Sequence, residues 1–125
     1  KLTQPILDKY DIHTGQWLVL RDIANFQPTT LVKISHRRSI EKPTTRKIVK
    51  VLLENNWIVA TQGNDKREKL LSLTPVGKAL FDAINEEVTV VQENIIKKVG
   101  LTEAKLSEII EIMSQIHETL IKEDK

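Results

Sequence analysis

The sequence predicts a mainly α chain with one small β-hairpin, an α+β fold. Three observations carry that expectation. Before residue 56, apolar residues recur every three or four positions in separate short runs, the period of helices with one buried face. Two stretches rich in β-branched, aromatic and leucine residues follow, "WIVATQ" and "KLLSLT", parted by "GNDKRE", which supplies Gly, Asn and Asp for a turn. After Thr74, two long apolar stripes at 3–4 spacing run almost to the end of the chain.

The elements follow in order. Residues 2–10 read as the end of a helix, with Leu2, Ile6, Leu7 and Tyr10 near 3–4 spacing, and "DIHTG" breaks it. Thr14 is the expected N-cap of a second helix, "GQWLVLRDIANF", in which Trp17, Leu20, Ile23 and Ala24 share a face. "QPTT" is a turn, and Thr30 caps a short third helix, "LVKISHRR", with Leu31, Ile34 and Val32 as its apolar positions. A connector from Ser39 to Glu41 leads to a fourth helix, expected from about Lys42 to Asn55. Pro43 suits its first turn, where a missing N–H costs nothing. Ile48, Val49 and Leu52, with Thr45 one turn earlier, fall on the inner side of this helix. Arg46, Lys47 and Lys50 fall on the other, led by Pro43 and Thr44. Asn55 and Asn56 close it, since Asn tolerates the left-handed conformation of helix ends.

The hairpin comes next, with Leu71 and Leu73 on one face of its second strand. Thr74 and Pro75 then open a fifth helix, expected to reach about Lys98, roughly 35 Å at the helical rise. Its stripe is Leu80, Ile84, Val88, Val91 and Ile95; Gly100 ends it. Thr102 caps a last helix with Leu106, Ile109, Met113, Ile116 and Leu120, a coiled-coil-like seam. Such seams extending from a small domain need a partner surface, and a second copy of the chain is the simplest one.

Composition narrows the function. The chain has 125 residues, room for one compact domain with a helical extension. No apolar run approaches the roughly 18 residues of a membrane span, and "KLTQPILDKY" lacks the apolar core of a secretory signal. The absence of cysteine excludes disulfides, thiolate metal sites and thiol redox sensing. His13, His36 and His117 lie far apart in sequence and form no metal-ligand spacing, so neither a metal nor a cofactor is called for. No nucleophile–base pair, phosphate loop or paired carboxylate suggests an enzyme. The net charge of +2 hides an asymmetry: residues 33–50 hold seven Lys or Arg and one Glu, whereas residues 70–125 hold six basic and ten acidic residues. A polyanion would be held at the first segment and repelled elsewhere.

Three helices followed by a hairpin is the order of a winged helix-turn-helix, in which the second helix of the motif enters the DNA major groove. The helix starting at Lys42 and Pro43 takes that position. Its candidate DNA contacts are Lys42, Pro43, Thr44, Arg46, Lys47 and Lys50, with an Arg suited to guanine and a helix N-terminus suited to phosphate. Lys66 and Arg67 at the hairpin tip are candidates for an adjacent minor groove or its backbone. Arg37 and Arg38 are candidates for phosphate contacts or for solvating the preceding turn.

These residues carry a resemblance. "DKREKLLSLTPVG" resembles the wing of the MarR family of bacterial transcription regulators, through Asp65, Arg67, Leu73, Thr74 and Gly77. "EKPTTRKIVKVLLENNWIV" is similar to the family's recognition helix, and "GQWLVL" to its second helix. The chain departs from the family pattern at Asn56, where a Gly is usual, and at Arg46, where Ser or Thr is common. The resemblance implies a cytoplasmic, nucleoid-associated, homodimeric regulator of double-stranded DNA, a repressor on a pseudo-palindrome with half-sites about 10 bp apart. It implies dimerisation through residues 1–13 and 75–125 around a DNA-binding domain at 14–74. The chain starts without Met and its first helix is short, so residues upstream of Lys1 stay open. It also implies that Arg67 reaches the minor groove and that Asp65 supports the wing. An Asp two residues before an Arg at a turn tip is physically suited to cap that turn. Release by a small organic effector, phenolic in many members, would need a pocket. Tyr10, His13, Trp17 and Phe81 are the candidates, against the simpler reading that they pack the core. The competing reading of the whole chain is a winged-helix module that contacts an unlike protein.

Overall fold

The computed structural model describes residues 3–65, 67–100 and 102–123. Six helices and one hairpin follow in order: α1 Gln4–Lys9, α2 Thr14–Phe26, α3 Leu31–Arg38, α4 Lys42–Glu54, β1 Ile58–Gln62, β2 Lys69–Leu73, α5 Pro75–Val99 and α6 Glu103–Glu123. This is the mainly α chain with a β-hairpin wing that the sequence predicts. The chain divides into two compact units, Lys1–Thr89 and Val90–Lys125. The first takes in α1 and the start of α5 together with the 14–74 segment.

Helix α2 is the centre of the first unit. Val19, Leu20 and Ile23 are fully buried, and α2 packs against α1, α3, α4 and β2. Ile34 from α3, Leu52 from α4, Ile58 from β1 and Ile84 from α5 complete the same core. Burial at this density is what fixes the phase of each helix. Deleting one such side chain typically costs about 2–5 kcal/mol.

The helix ends follow the expected chemistry with one correction. Thr30 Oγ1 accepts from the Lys33 amide at 3.2 Å, Thr74 Oγ1 from the Gly77 amide at 2.9 Å, and Thr102 Oγ1 from the Lys105 amide at 3.2 Å. Thr14 does not cap α2. His13 precedes the helix, its amide donates to Gln16 Oε1 at 3.1 Å, and Thr14 is already helical. Gln16 reaches back to the His13 amide, one half of a capping box built on His13. Asn56 adopts φ 59° and ends α4, and Gly100 at φ 72° ends α5. The expected helix over 2–10 shortens to Gln4–Lys9, with Leu2 outside the described residues.

The hairpin is antiparallel, in register from Ile58 opposite Leu73 to Gln62 opposite Lys69. It has an additional rung that the sequence did not announce. Thr29, in the turn between α2 and α3, exchanges both backbone hydrogen bonds with Leu71, at 3.1 and 2.7 Å. Gln27 Oε1 accepts from the Leu73 amide at 2.9 Å. The wing is thus tied to the helix-turn-helix along its inner strand.

The second unit contains the end of α5 and α6. Ile109, Ile112, Met113, Ile116 and Leu120 on α6 are 41–64% exposed. Along the α5 stripe, exposure rises from 0% at Ile84 and 8% at Val88 to 39% at Ile95.

Candidate nucleic-acid interface

Helix α4 has two faces of opposite chemistry. Thr45 and Leu52 are fully buried and Val49 nearly so, while Lys42, Pro43, Thr44, Arg46, Lys47 and Lys50 are exposed. Glu41 precedes the helix without a side-chain cap bond, and Pro43 lies in the first turn. The start of α4 therefore presents an uncapped, partially positive end beside four exposed cations, Lys42, Arg46, Lys47 and Lys50. Among the described residues, none of Arg46, Lys47, Lys50 and Arg67 takes part in an ion pair. Their charge faces solvent.

A buried hydroxyl pair sets α4 against α3. Ser35 Oγ donates to Thr45 Oγ1 at 2.8 Å, and Thr45 Oγ1 donates to the Glu41 carbonyl at 3.3 Å. Both residues are small enough for the two helices to cross closely, and each satisfies the other's polar group in the interior.

At the wing tip, Asp65 Oδ1 accepts from the Arg67 amide at 3.0 Å, and the Asp65 carbonyl accepts from the Glu68 amide at 2.9 Å. The carboxylate caps the turn through the backbone, leaving the exposed Arg67 side chain to point outward from a fixed main chain. Lys66 lies outside the described residues. Between α3, α4 and the wing lies a cleft of about 660 Å³. Val32, Val49, Leu53 and Leu71 contribute apolar surface to it, and Arg46 and Arg67 are on its lining. The structure thus places α4 and the wing Arg around one concave surface.

The two arginines at the end of α3 are placed differently. Arg37 is turned inward. Its Nη2 donates to Asp22 Oδ2 at 2.8 Å and Thr29 Oγ1 at 2.7 Å, and its Nε donates to both Asp22 oxygens, at 3.1 and 3.2 Å. The guanidinium also lies 4.2 Å from the centre of the Phe26 ring. The Asp22 side chain is only 4% exposed. Of the two expectations for Arg37, a phosphate contact or a solvated turn, neither anticipates this pairing: a buried carboxylate needs a partner, and Arg37 supplies it. Arg38 is half-buried, and its buried Nε has no hydrogen-bond partner among the described residues.

Of the four candidate ligand residues, Tyr10, Trp17 and Phe81 pack in or against the core and His13 is exposed. Trp17 is buried and stacks on Phe81 with ring centroids 5.5 Å apart. Both belong to the core packing. The Tyr10 hydroxyl donates to Glu87 on α5, which also accepts from Lys9 Nζ at 3.1 Å. Those two hydrogen bonds, Tyr10 first, hold the Glu87 carboxyl below the ordinary glutamate value, and the same contacts raise Lys9 and Tyr10. His13 is exposed ahead of α2. Among the described residues no cluster of three His, Asp or Glu could hold a metal ion, and no helix is long and apolar enough to cross a membrane.

The Asp22–Arg37–Thr29 group and the Ser35–Thr45 pair are what sequence reasoning missed. Asp22 carried a signal: it lies three residues after Val19 and four after Leu18, in phase with the buried side of α2, where an acid needs a cation.

Comparison with known proteins agrees with this geometry. A family model described as "MarR family" matches residues 12–69. An uncharacterized HTH-type transcriptional regulator of Staphylococcus aureus strain MRSA252 is 50% identical over 124 residues, covering 98% of this chain and 85% of that protein. The Bacillus subtilis strain 168 regulator YwoH is 32% identical over 90 residues, covering 72% of this chain and 66% of that one. Among solved structures, Staphylococcus aureus MarR in complex with salicylate and kanamycin superposes with a TM-score of 0.88 at 50% identity, covering 98% of this chain and 82% of that chain. The transcriptional regulator SlyA, at 19% identity and a TM-score of 0.79 over 94% of this chain and 82% of that one, shares the fold.

Proposed function

Because the chain belongs to the MarR family of helix-turn-helix transcriptional regulators, we propose that it binds double-stranded DNA sequence-specifically as a homodimeric repressor on the bacterial nucleoid. The observation that carries this reading is the split of α4: Thr45, Val49 and Leu52 anchor it in the core, and Pro43, Thr44, Arg46, Lys47 and Lys50 face out beside Arg67. Arg46 would read a base edge in the major groove, Lys47 and Lys50 would hold bases or phosphates, and Arg67 would enter the minor groove. The exposed apolar stripe of α6 supports dimerisation, and two-fold symmetry would pair two α4 helices with a pseudo-palindrome.

An organic effector is supported by the cleft between α3, α4 and the wing rather than by the Tyr10–His13–Trp17–Phe81 set. Its apolar surface and two arginines suit a small aromatic anion, which would compete with DNA for Arg46 and Arg67. The related Staphylococcus aureus structure was solved with salicylate and kanamycin.

The test is selection of duplexes from a random-sequence library, followed by affinity measurements on the enriched duplex across a salt series. An enriched palindrome and a steep fall of affinity with salt are expected. Arg46→Ala and Arg67→Ala should each weaken binding by about 1–3 kcal/mol. No enrichment, or affinity flat with salt, would overturn the reading. A chain that light scattering finds monomeric would favour the protein-interaction module instead.

A further inference from the structure

Arg37 joins three parts of the DNA-binding unit through one side chain. It starts on α3, reaches Asp22 and Phe26 on α2, and bonds the hydroxyl of Thr29. Thr29 in turn exchanges both backbone hydrogen bonds with Leu71 in the wing strand β2. A planar guanidinium can hold a carboxylate and a hydroxyl at once in fixed directions; a lysine ammonium offers a point charge without that fork. The wing tip is a lever on this attachment. Arg67 lies four residues from Leu71, in the turn just beyond the start of β2, at most about 13 Å away. A tilt of about 10° there would move the tip by roughly 2 Å, well beyond the tolerance of a hydrogen bond.

We propose that Arg37 is a positioning residue for DNA recognition: through Thr29 it sets where the wing carries Arg67 relative to α4, and it makes no phosphate contact of its own. The proposal rests on the reading that α4 and the wing bind DNA. Three of its hydrogen bonds end on a buried carboxylate and the fourth on a hydroxyl that is itself buried. The Asp22 carboxylate neutralises the guanidinium, and the N–H groups of Nε and Nη2 are committed to Asp22 and Thr29 rather than to a phosphate.

The experiment uses the duplex enriched by the wild-type protein and compares wild type, Arg37→Lys, Arg67→Ala and the double variant, with melting curves to establish that each is folded. Arg37→Lys keeps the charge, so a phosphate contact would survive it. A positioning role predicts a loss of about tenfold in the wild-type background that shrinks to less than about twofold when Arg67 is already Ala, because neighbouring roles do not add. A purely structural role would lower affinity by the same factor in both backgrounds. Thr29→Val serves where Arg37→Lys melts below the assay temperature: it removes one hydroxyl, keeps the Asp22 pair and should show the same dependence on Arg67 with a loss of about threefold. Wild-type affinity in Arg37→Lys, or equal losses with and without Arg67, would overturn the proposal while leaving the DNA-binding reading intact. A library that returns no enriched duplex would overturn that reading, and this inference with it.

Discussion

Replacing Gly77 by Ala should destabilise the chain, although Ala is the better helix former. Gly77 lies in the first turn of α5, and a Cβ added there would stand 1.8 Å from the Trp57 carbonyl oxygen and 2.7 Å from its carbon. These are backbone atoms, so no side chain can swing aside. To restore ordinary contact the helix start must retreat by about 1.5 Å, a form of overpacking that costs about 1–3 kcal/mol. Retreat also breaks the bonds that seat this turn: Thr74 Oγ1 donates to the Asn56 carbonyl at 2.6 Å, and the Thr74 amide to the Trp57 carbonyl at 3.1 Å. Each is worth about 0.5–1.5 kcal/mol net. Against this, Ala returns about 1 kcal/mol of helix propensity. The net loss is about 3 kcal/mol, a fall in melting temperature of roughly 10 °C for a chain of this size. Thermal unfolding at matched chain concentration measures it, since association would shift both midpoints. Gly15→Ala is the control: its Cβ would meet only Ile48 Cδ1 at 3.7 Å, so it should be neutral or stabilising. Equal midpoints for wild type and Gly77→Ala, or equal shifts for the two variants, would refute the steric reasoning.

Thr45→Val should cost about 1–3 kcal/mol in urea unfolding, because it strands the buried Ser35 hydroxyl. Adding Ser35→Ala should recover most of that loss; additive losses would mean that the pair is not coupled. The Lys9–Tyr10–Glu87 contact should make the attachment of α1 pH-dependent. The Glu87 carboxyl is lowered, so its contribution is present above the ordinary glutamate value and is lost as pH falls through the lowered folded value. Lys9 and Tyr10 are raised, so theirs are present below their ordinary values and lost as pH rises through the raised ones. The melting gap between wild type and Glu87→Gln should therefore be widest near neutral pH and close in acid; a gap unchanged down to pH about 2 would contradict the assigned contact.

The legible part of the fold was whatever period and local chemistry encode. α3 and α4 could be read because polarity and phase change together along them, and because Thr30 and Pro43 mark their starts. The Thr74–Gly77 motif was readable as a helix start, but the reason for its Gly was not. That reason is the Trp57 carbonyl, twenty residues earlier, against which the helix presses. Thr14 reads as a cap by residue type, but the helix starts one residue earlier, with His13 in the cap position and its amide bonded to Gln16. The extra bridge at Thr29 is invisible in sequence for a related cause: an isolated pair has no period, and a turn rich in Pro and Thr reads as a loop whether or not a strand lies beside it.

The same distinction decides the site. Arg37 and Arg46 stand in one basic segment, and by composition they are equivalent. They differ in what lies across from them. Arg46 follows the fully buried Thr45 by one position, which turns it out of the core, and no acid in the described residues meets it. Arg37 follows Ile34 and Ser35 into the space beside α2, where Asp22 is already buried. A lone carboxylate there would be costly, and a paired one fixes the arginine with it. The local charge of the segment therefore overstates the positive charge left to the surface, because one of its cations is already neutralised by an acid from a different helix. Phase relative to the core identifies the solvent-facing residues of α4. For α3 it has to be joined to the phase of α2, because whether an arginine there meets a phosphate or a carboxylate depends on both helices.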